Sequence, residues 1–267
     1  MKIRLDQYLE QNGLLQAGES AGALIMSGVV YIDGQKEDKP GAPVGAAAQV
    51  EVRRHGLGYV SRGGLKLEKA MQVFPLTLQG LVCMDIGAST GGFTDCMLQN
   101  GAAKVYAVDV AYGKLAWSLR TDSRVINMER TNIRKVTPDQ LGEKIDFFSV
   151  DVAFISLKHI FPVAQAVTAD RAQGVCLIKP QFEAERGEVG HHGVVRDPQV
   201  HCRVIVQTMA YAAAAGFSVR GLDFSPVKGP EGNIEYLMFV CKDPAAQVLP
   251  PEAAEKVVAA SHAALDR

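Results

Sequence analysis

From Tyr59 onward the chain alternates short apolar runs with segments of helical period, and that alternation limits the fold more than any other feature. Apolar runs near 81–86, 104–109, 124–128, 145–150 and 174–179 read as strands. Helices are expected between them, near 62–74, 91–100, 113–119, 137–141 and 156–167. Strands that return after each helix predict a mostly parallel α/β sheet with helices on both faces. A long helix near 198–215 precedes two strands near 217–225 and 234–241, spaced to lie antiparallel at the sheet edge. The stretch 248–265 reads as an Ala-rich amphipathic helix.

The first 60 residues form a different unit. Leu5, Leu9 and the Leu14–Leu15 pair predict a short helix and its turn, and Ala21, Leu24, Ile25 and Met26 predict a second. Val29–Ile32 then reads as a strand closed by Asp33–Gly34, a strong hairpin signal, with another strand over 48–52. Arg53–Gly58 reads as a linker, giving three expected divisions: 1–58, 59–245 and a helical tail over 246–267.

Charge gives RNA binding no support by itself: 28 Lys and Arg stand against 29 Asp and Glu, whereas dedicated nucleic-acid binders are often strongly basic. Five cysteines without a CxxC pair read as small buried hydrophobes in a reducing compartment. Neither a secretory signal nor a run of about 20 apolar residues is visible, so a soluble, cytoplasmic protein with no membrane partner is expected.

The sharpest local signal is the stretch from Met84 through Asp85, Gly87, Ser89, Thr90, Gly91 and Gly92 to Phe93, which follows a strand and opens a helix. Glycines there let the backbone approach a ligand, and a helix N-terminus offers free N–H groups. Asp109 ends the next strand eighteen positions after Gly91, where folds of this kind hold ribose hydroxyls. The dinucleotide pattern GxGxxG is missed, which disfavours an NAD-dependent dehydrogenase. An acidic strand end repels a pyrophosphate but suits the ammonium and hydroxyls of S-adenosylmethionine.

Asp151 and Lys179 end the fourth and fifth predicted strands, and the carboxyl ends of such strands line the ligand crevice. Lys66, in the helix before the first strand, and Glu235, opening the last, are further charged candidates. Strand logic alone does not bring those two to the crevice.

These strings together resemble a known family. Residues 59–242 are similar to the RrmJ/FtsJ-type 2'-O-ribose methyltransferases, and the whole chain is similar to the TlyA family, which methylates cytidine in ribosomal RNA and is often called hemolysin. The resemblance rests on Tyr59–Leu67, Asp85–Thr94, Asp151–Leu157, Lys179–Glu183, Gly193–Asp197 and Gly229–Tyr236. It implies a Rossmann-like class I methyltransferase fold of seven strands and a Lys-Asp-Lys-Glu tetrad at Lys66, Asp151, Lys179 and Glu235. Lys179 is then expected to act as base or to stabilise the alkoxide, with Asp151 orienting it and Lys66 and Glu235 steering the hydroxyl. The resemblance further implies that Asp85 and the Gly87–Gly91 loop hold the methionine part of S-adenosylmethionine. Asp109 would take its ribose, and Asn132 would lie near its adenine.

Residues 1–60 resemble the S-four-type RNA-binding module, through Arg4–Asp6, Leu24–Gly28, Val30–Gln35 and Lys39–Gly41. Members usually carry basic residues on the second helix, where this chain has Ala17–Ala23; six basic residues face seven acidic ones across the module. Contact with ribosomal RNA is therefore expected from Arg4, Arg53, Arg54, Arg62 and Lys69. His191, His192 and His201 fit no common zinc spacing, so no metal is expected and the 187–193 loop reads as a flexible substrate-side segment. A ribosome-assembly factor without catalysis and a hemolysin remain the competing readings.

Overall fold

The computed structural model describes residues 3–15, 19–26, 28–45, 48–52, 58–243 and 249–266. The front module packs α1 (Leu5–Gln11) and α2 (Ala21–Met26) on two small sheets. One sheet pairs β1 (Ile3–Arg4) with β4 (Pro43–Val44). The other places β2 (Val30–Ile32) between β3 (Gln35–Lys36) and β5 (Val50–Val52). Asp33 and Gly34 both take positive φ, 51° and 76°, as a two-residue hairpin turn requires. Leu5, Leu9, Ile25, Val30 and Val44 close a core of their own.

The larger part is one seven-stranded sheet. Its strands are β6 (Val82–Ile86), β7 (Lys104–Val108), β8 (Val125–Met128), β9 (Ile145–Val150), β10 (Thr168–Ile178), β11 (Phe217–Phe224) and β12 (Tyr236–Lys242), in the order β11-β12-β10-β9-β6-β7-β8. The first five pair parallel, and β12 runs antiparallel between β10 and β11. Strand order reverses between β6 and β9, the switch point at which such sheets open a crevice.

Side chains alternate across the sheet and divide the core in two. Cys83, Phe147, Val175 and Leu177 meet α3 (Gly63–Val73) and α4 (Gly92–Gln99) through Leu67, Ala70, Cys96 and Met97. Met84, Phe148, Cys176 and Ile178 meet the other face, covered by α7 (Phe161–Val167), α9 (Pro198–Ala214) and α10 (Glu252–Leu265). The tail helix α10 therefore extends the methyltransferase-like core: Ala254, Val257 and Val258 are buried in it.

Several predicted bounds shift for local reasons. The helix expected near 156–167 divides into a 3₁₀ turn, Leu157–His159, and α7, with Pro162 in the first turn of α7 where its missing N–H costs nothing. That near 113–119 contracts to α5 (Trp117–Arg120), and α6 (Pro138–Leu141) matches its expected place. β10 begins at Thr168, earlier than its apolar run, because polar Asp170, Arg171 and Gln173 precede Val175 and Arg171 takes φ 64° at a register shift.

Candidate active site

The crevice is a cavity of about 600 Å³ at the carboxyl ends of β6, β7, β9 and β10. Its floor is the turn after β6, which leaves no room for side chains at two points. A Cβ on Gly87 would stand 2.4 Å from the backbone oxygen of Asp151, and one on Gly92 would stand 2.8 Å from the backbone nitrogen of Gly64. Gly87 therefore lets β6 and the Asp151 strand end touch, and Gly92 lets α4 touch the start of α3, which carries Lys66. Gly91, with φ 96°, is the residue from which α4 starts.

Asp85 is fully buried beneath this turn. Its Oδ2 accepts from the backbone N–H (2.9 Å) and the hydroxyl (2.7 Å) of Thr94, and its Oδ1 accepts from Ser149 Oγ (2.9 Å). Asp85 also borders the cavity, and its oxygens brace from inside the turn expected to hold the methionine part. Burial raises its pKa to about 6 from the ordinary 3.8, and the three hydrogen bonds offset only part of that. Ionised Asp85 thus weakens the fold, and the cost grows as pH rises from about 4 to about 6. Asp85→Asn removes this titration. The melting temperature of the variant relative to the parent chain is therefore expected to be higher at pH 8 than at pH 4.5; a pH-independent difference contradicts this account.

Asp109, just beyond β7, borders the cavity and straps its rim. Its Oδ2 accepts from Ser89 N–H and its Oδ1 from Ala111 N–H, both at 2.7 Å. Ser89, Thr90 and Phe93 also line the cavity, as does Asn132, whose Oδ1 caps the 3₁₀ turn Ile133–Lys135 through Arg134 N–H (3.0 Å).

The four charged candidates do come together. Glu235, one residue ahead of β12 and 1% exposed, receives Lys66 Nζ at 2.7 Å. The same Nζ stands 3.4 Å from Asp151 Oδ2, and Asp151 Oδ1 pairs with Lys179 Nζ. The result is an alternating line, Glu235–Lys66–Asp151–Lys179, with no net formal charge. All four line the cavity. Burial opposes the charge on Lys66, but Asp151 and Glu235 outweigh it and hold the pKa above the ordinary lysine value. Burial likewise opposes ionised Asp151, yet Lys66 and Lys179 hold its pKa below the usual carboxylate range. Lys66 is thereby fixed as an ammonium between two carboxylates. Lys179 has one ion-pair partner among the described residues and ends the line at the cavity.

The expected RNA contacts fare unevenly. Arg62 lines the cavity at the start of α3. Arg4 is exposed but paired through both guanidinium contacts to Asp6, at 3.1 and 2.7 Å. Lys69 has internal partners: its ammonium donates to Asp223 (3.0 Å) and to the carbonyl of Phe224 (2.6 Å) and lies over the Phe224 ring. Arg53 and Arg54 lie outside the described residues. His201 is buried against Tyr236, Val195 and His262, away from any role beside His191 and His192, whose rings meet edge-on in an exposed turn. Among the described residues no group of three or more His, Cys, Asp or Glu side chains is arranged to hold a metal ion.

Sequence reasoning missed Phe154 as an individual. It lines the cavity, is 91% exposed and takes φ 62°, yet the apolar run Val152–Ile155 gives no sign of an outward-turned ring. Ser61 and Pro230, inside two of the matching strings, and Lys114 and Thr131, outside them, also border the cavity.

Comparison with known proteins agrees with this geometry. The profile of the FtsJ-like methyltransferases matches residues 59–242. A Bacillus subtilis protein, YqxC, named as a candidate rRNA methyltransferase, is 46% identical over 99% of this chain and 95% of its own length. The 16S/23S rRNA (cytidine-2'-O)-methyltransferase TlyA of Mycobacterium tuberculosis is 42% identical over 90% of each chain. A solved structure of a candidate hemolysin from Streptococcus thermophilus is 44% identical, with a TM-score of 0.80 over 99% of this chain and 97% of its own. With the profile over its larger part and these relatives over nearly its whole length, the chain belongs to the FtsJ-like methyltransferase family, alongside the TlyA proteins.

Proposed function

We propose that the chain transfers a methyl group from S-adenosylmethionine to the ribose 2'-hydroxyl of cytidine in ribosomal RNA. The observation that carries this reading is the line Glu235–Lys66–Asp151–Lys179 opening on a cavity at the sheet's switch point. The named activity of the TlyA relative points the same way.

The cavity suits that cofactor. Bare backbone at Gly87 and Gly92 suits the methionine end, while Gly91 backs onto Leu115 and Leu119, and the carboxylates of Asp109 and Asp151 make the walls hostile to a pyrophosphate. Asp109 is placed to receive the ribose hydroxyls and Asn132 to border the adenine. Bound there, S-adenosylmethionine supplies an electrophilic methyl on sulfur. A ribose hydroxyl attacks poorly until its proton is removed. Lys179 takes that proton as a neutral amine, or as an ammonium holds the resulting oxyanion; Asp151 fixes the position of its Nζ, and Lys66 with Glu235 anchors Asp151 from behind. Positioning in a water-poor pocket contributes much of the acceleration. Phe154, turned outward at the same mouth, offers a face for an unpaired base.

The front module fits the S-four-type RNA-binding reading in its two helices and hairpin, but its basic supply is thin. Arg53, Arg54 and Arg62 are the remaining candidates for phosphate contact. The hemolysin name belongs to relatives; no helix among the described residues is long and apolar enough to cross a membrane.

Asp109→Ala is expected to raise the S-adenosylmethionine Kd at least about 10-fold in calorimetry, the loss of one good polar contact. An unchanged Kd removes Asp109 from the cofactor site. The activity itself is tested by incubating the chain with labelled S-adenosylmethionine and ribosomal subunits that lack 2'-O-methylation. Incorporation into RNA supports the proposal; binding of cofactor without any transfer moves the weight to a non-catalytic assembly factor.

A further inference from the structure

Asp151 and Lys179 stand at the ends of neighbouring parallel strands, β9 and β10, where the chain leaves the sheet in two separate loops. Beyond the ladder, the ion pair between them is one link across this gap. A second link lies four residues farther along. The short helix α8 (Pro180–Glu183) starts directly after Lys179 and holds it through Phe182 N–H donating to the Lys179 carbonyl (3.0 Å). At its far end the Glu183 carboxylate crosses to the other loop. Its Oε2 accepts from Ser156 Oγ at 2.6 Å and its Oε1 from the backbone N–H of Leu157 at 2.7 Å. Ser156 in turn accepts Lys158 N–H at 3.1 Å and so caps the 3₁₀ turn that ends this loop. The rings of Phe154 and Phe182 meet between the two crossings, with centroids 5.0 Å apart.

Glu183 is half-buried, and both of the recorded donors to its carboxylate are neutral groups of the Asp151 loop. Both oxygens are occupied by one loop, so the carboxylate works as a two-pronged clamp. The loop it clamps is short, six residues from Asp151 to Ser156, and contains Phe154 in a left-handed conformation that favours glycine over phenylalanine. A strained loop of this kind keeps one shape only when its surroundings over-determine it.

We propose that Glu183 is a positioning residue for methyl transfer: by fastening the Asp151 loop to the helix that follows Lys179, it fixes the Asp151–Lys179 pair and the Phe154 ring against the cavity. The proposal rests on the methyltransferase reading given above. It predicts a loss in turnover while cofactor binding is largely spared, because the turn after β6, Asp109 and Asn132, placed around S-adenosylmethionine, lie outside the clamped loop.

The test compares Glu183→Ala, Glu183→Gln and Ser156→Ala with the parent chain and with Lys179→Ala in the same methyl-transfer assay. Glu183→Ala is expected to lower kcat about 10- to 100-fold, the scale on which misplaced catalytic groups act, with the S-adenosylmethionine Kd within about twofold of the parent. Glu183→Gln keeps an acceptor for Leu157 N–H and can donate to Ser156, so it should restore most of kcat. Ser156→Ala should give a smaller loss, and the pair Ser156→Ala with Glu183→Ala should lose less than the product of the single effects, as contacting residues do. Hydrogen exchange supplies a readout that needs no activity: the Leu157 amide should exchange faster in Glu183→Ala and stay protected in Lys179→Ala. If Lys179→Ala abolishes transfer while Glu183→Ala matches the parent in kcat, the proposal is overturned and the methyltransferase reading stands. If the parent chain transfers no methyl at all, that reading fails, and Leu157 exchange still decides whether the clamp exists. Equal losses in Glu183→Ala and Glu183→Gln would also overturn it, since the clamp's geometry is what Gln preserves.

Discussion

Lys179→Ala is expected to lower methyl transfer about 10³- to 10⁴-fold, toward the upper end of what removing a positioned acid–base group costs. Cofactor affinity should change by less than about threefold, because the turn after β6 and Asp109, not Lys179, form the cradle. Glu235 is sealed behind Lys66, and Lys66 is held as an ammonium by two carboxylates. Asp151 lies between two ammonium groups, which keep it ionised and a poor proton acceptor. Lys179 ends the line on the other side from Glu235 and, among the described residues, is held by one carboxylate where Lys66 is held by two. Radiolabel transfer and calorimetry on the same preparation check both halves of this expectation; turnover within tenfold of the parent would remove Lys179 from the chemistry.

Lys66→Ala should do more harm to the fold than any other substitution at the site. It leaves Glu235, 1% exposed, and Asp151 without the ammonium between them. Removing one partner of a buried ion pair costs about 3–5 kcal/mol, which for a domain of this size corresponds to about 10 °C in Tm. In the parent chain the contribution is present across the neutral range. The raised Lys66 loses it only as pH climbs above the ordinary lysine value, and the lowered Asp151 only as pH falls below the ordinary carboxylate value. In the variant, protonation relieves an uncompensated buried carboxylate, so the penalty should shrink as pH falls from 8 toward 5. Thermal melts at both pH values check this. A loss under about 1 kcal/mol, equal at the two, would mean that the line contributes little to stability.

Much of this site was legible in the sequence because strand ends are. Asp109, Asp151 and Lys179 each follow an apolar run directly, and topology then delivers them to the crevice. Lys66 and Glu235 are different. They are 169 positions apart and meet through the close approach of α3 and α4 at Gly92 and through the insertion of β12 beside β10. Neither event has a local signature, so family resemblance had to supply the pair. Asp85 was legible only in part. Its place before Gly87 points to the cavity, which it borders, but not to the donors that occupy its oxygens, such as Ser149, 64 positions away. Lys69 read as a free basic residue for the same reason, since Asp223 and Phe224 come to it only through the sheet edge. The docking of α10 onto α9 and β11 was likewise hidden: its amphipathic period announced a helix, not the surface it covers.

The most direct test of the whole account is to map the product. Ribosomal RNA from subunits lacking 2'-O-methylation is incubated with the chain and S-adenosylmethionine, digested, and examined by mass spectrometry for the position of the new methyl. The account predicts 2'-O-methylcytidine that is formed by the parent chain and lost with Lys179→Ala. A methyl found on a base, or 2'-O-methylation undiminished by Lys179→Ala, would contradict it.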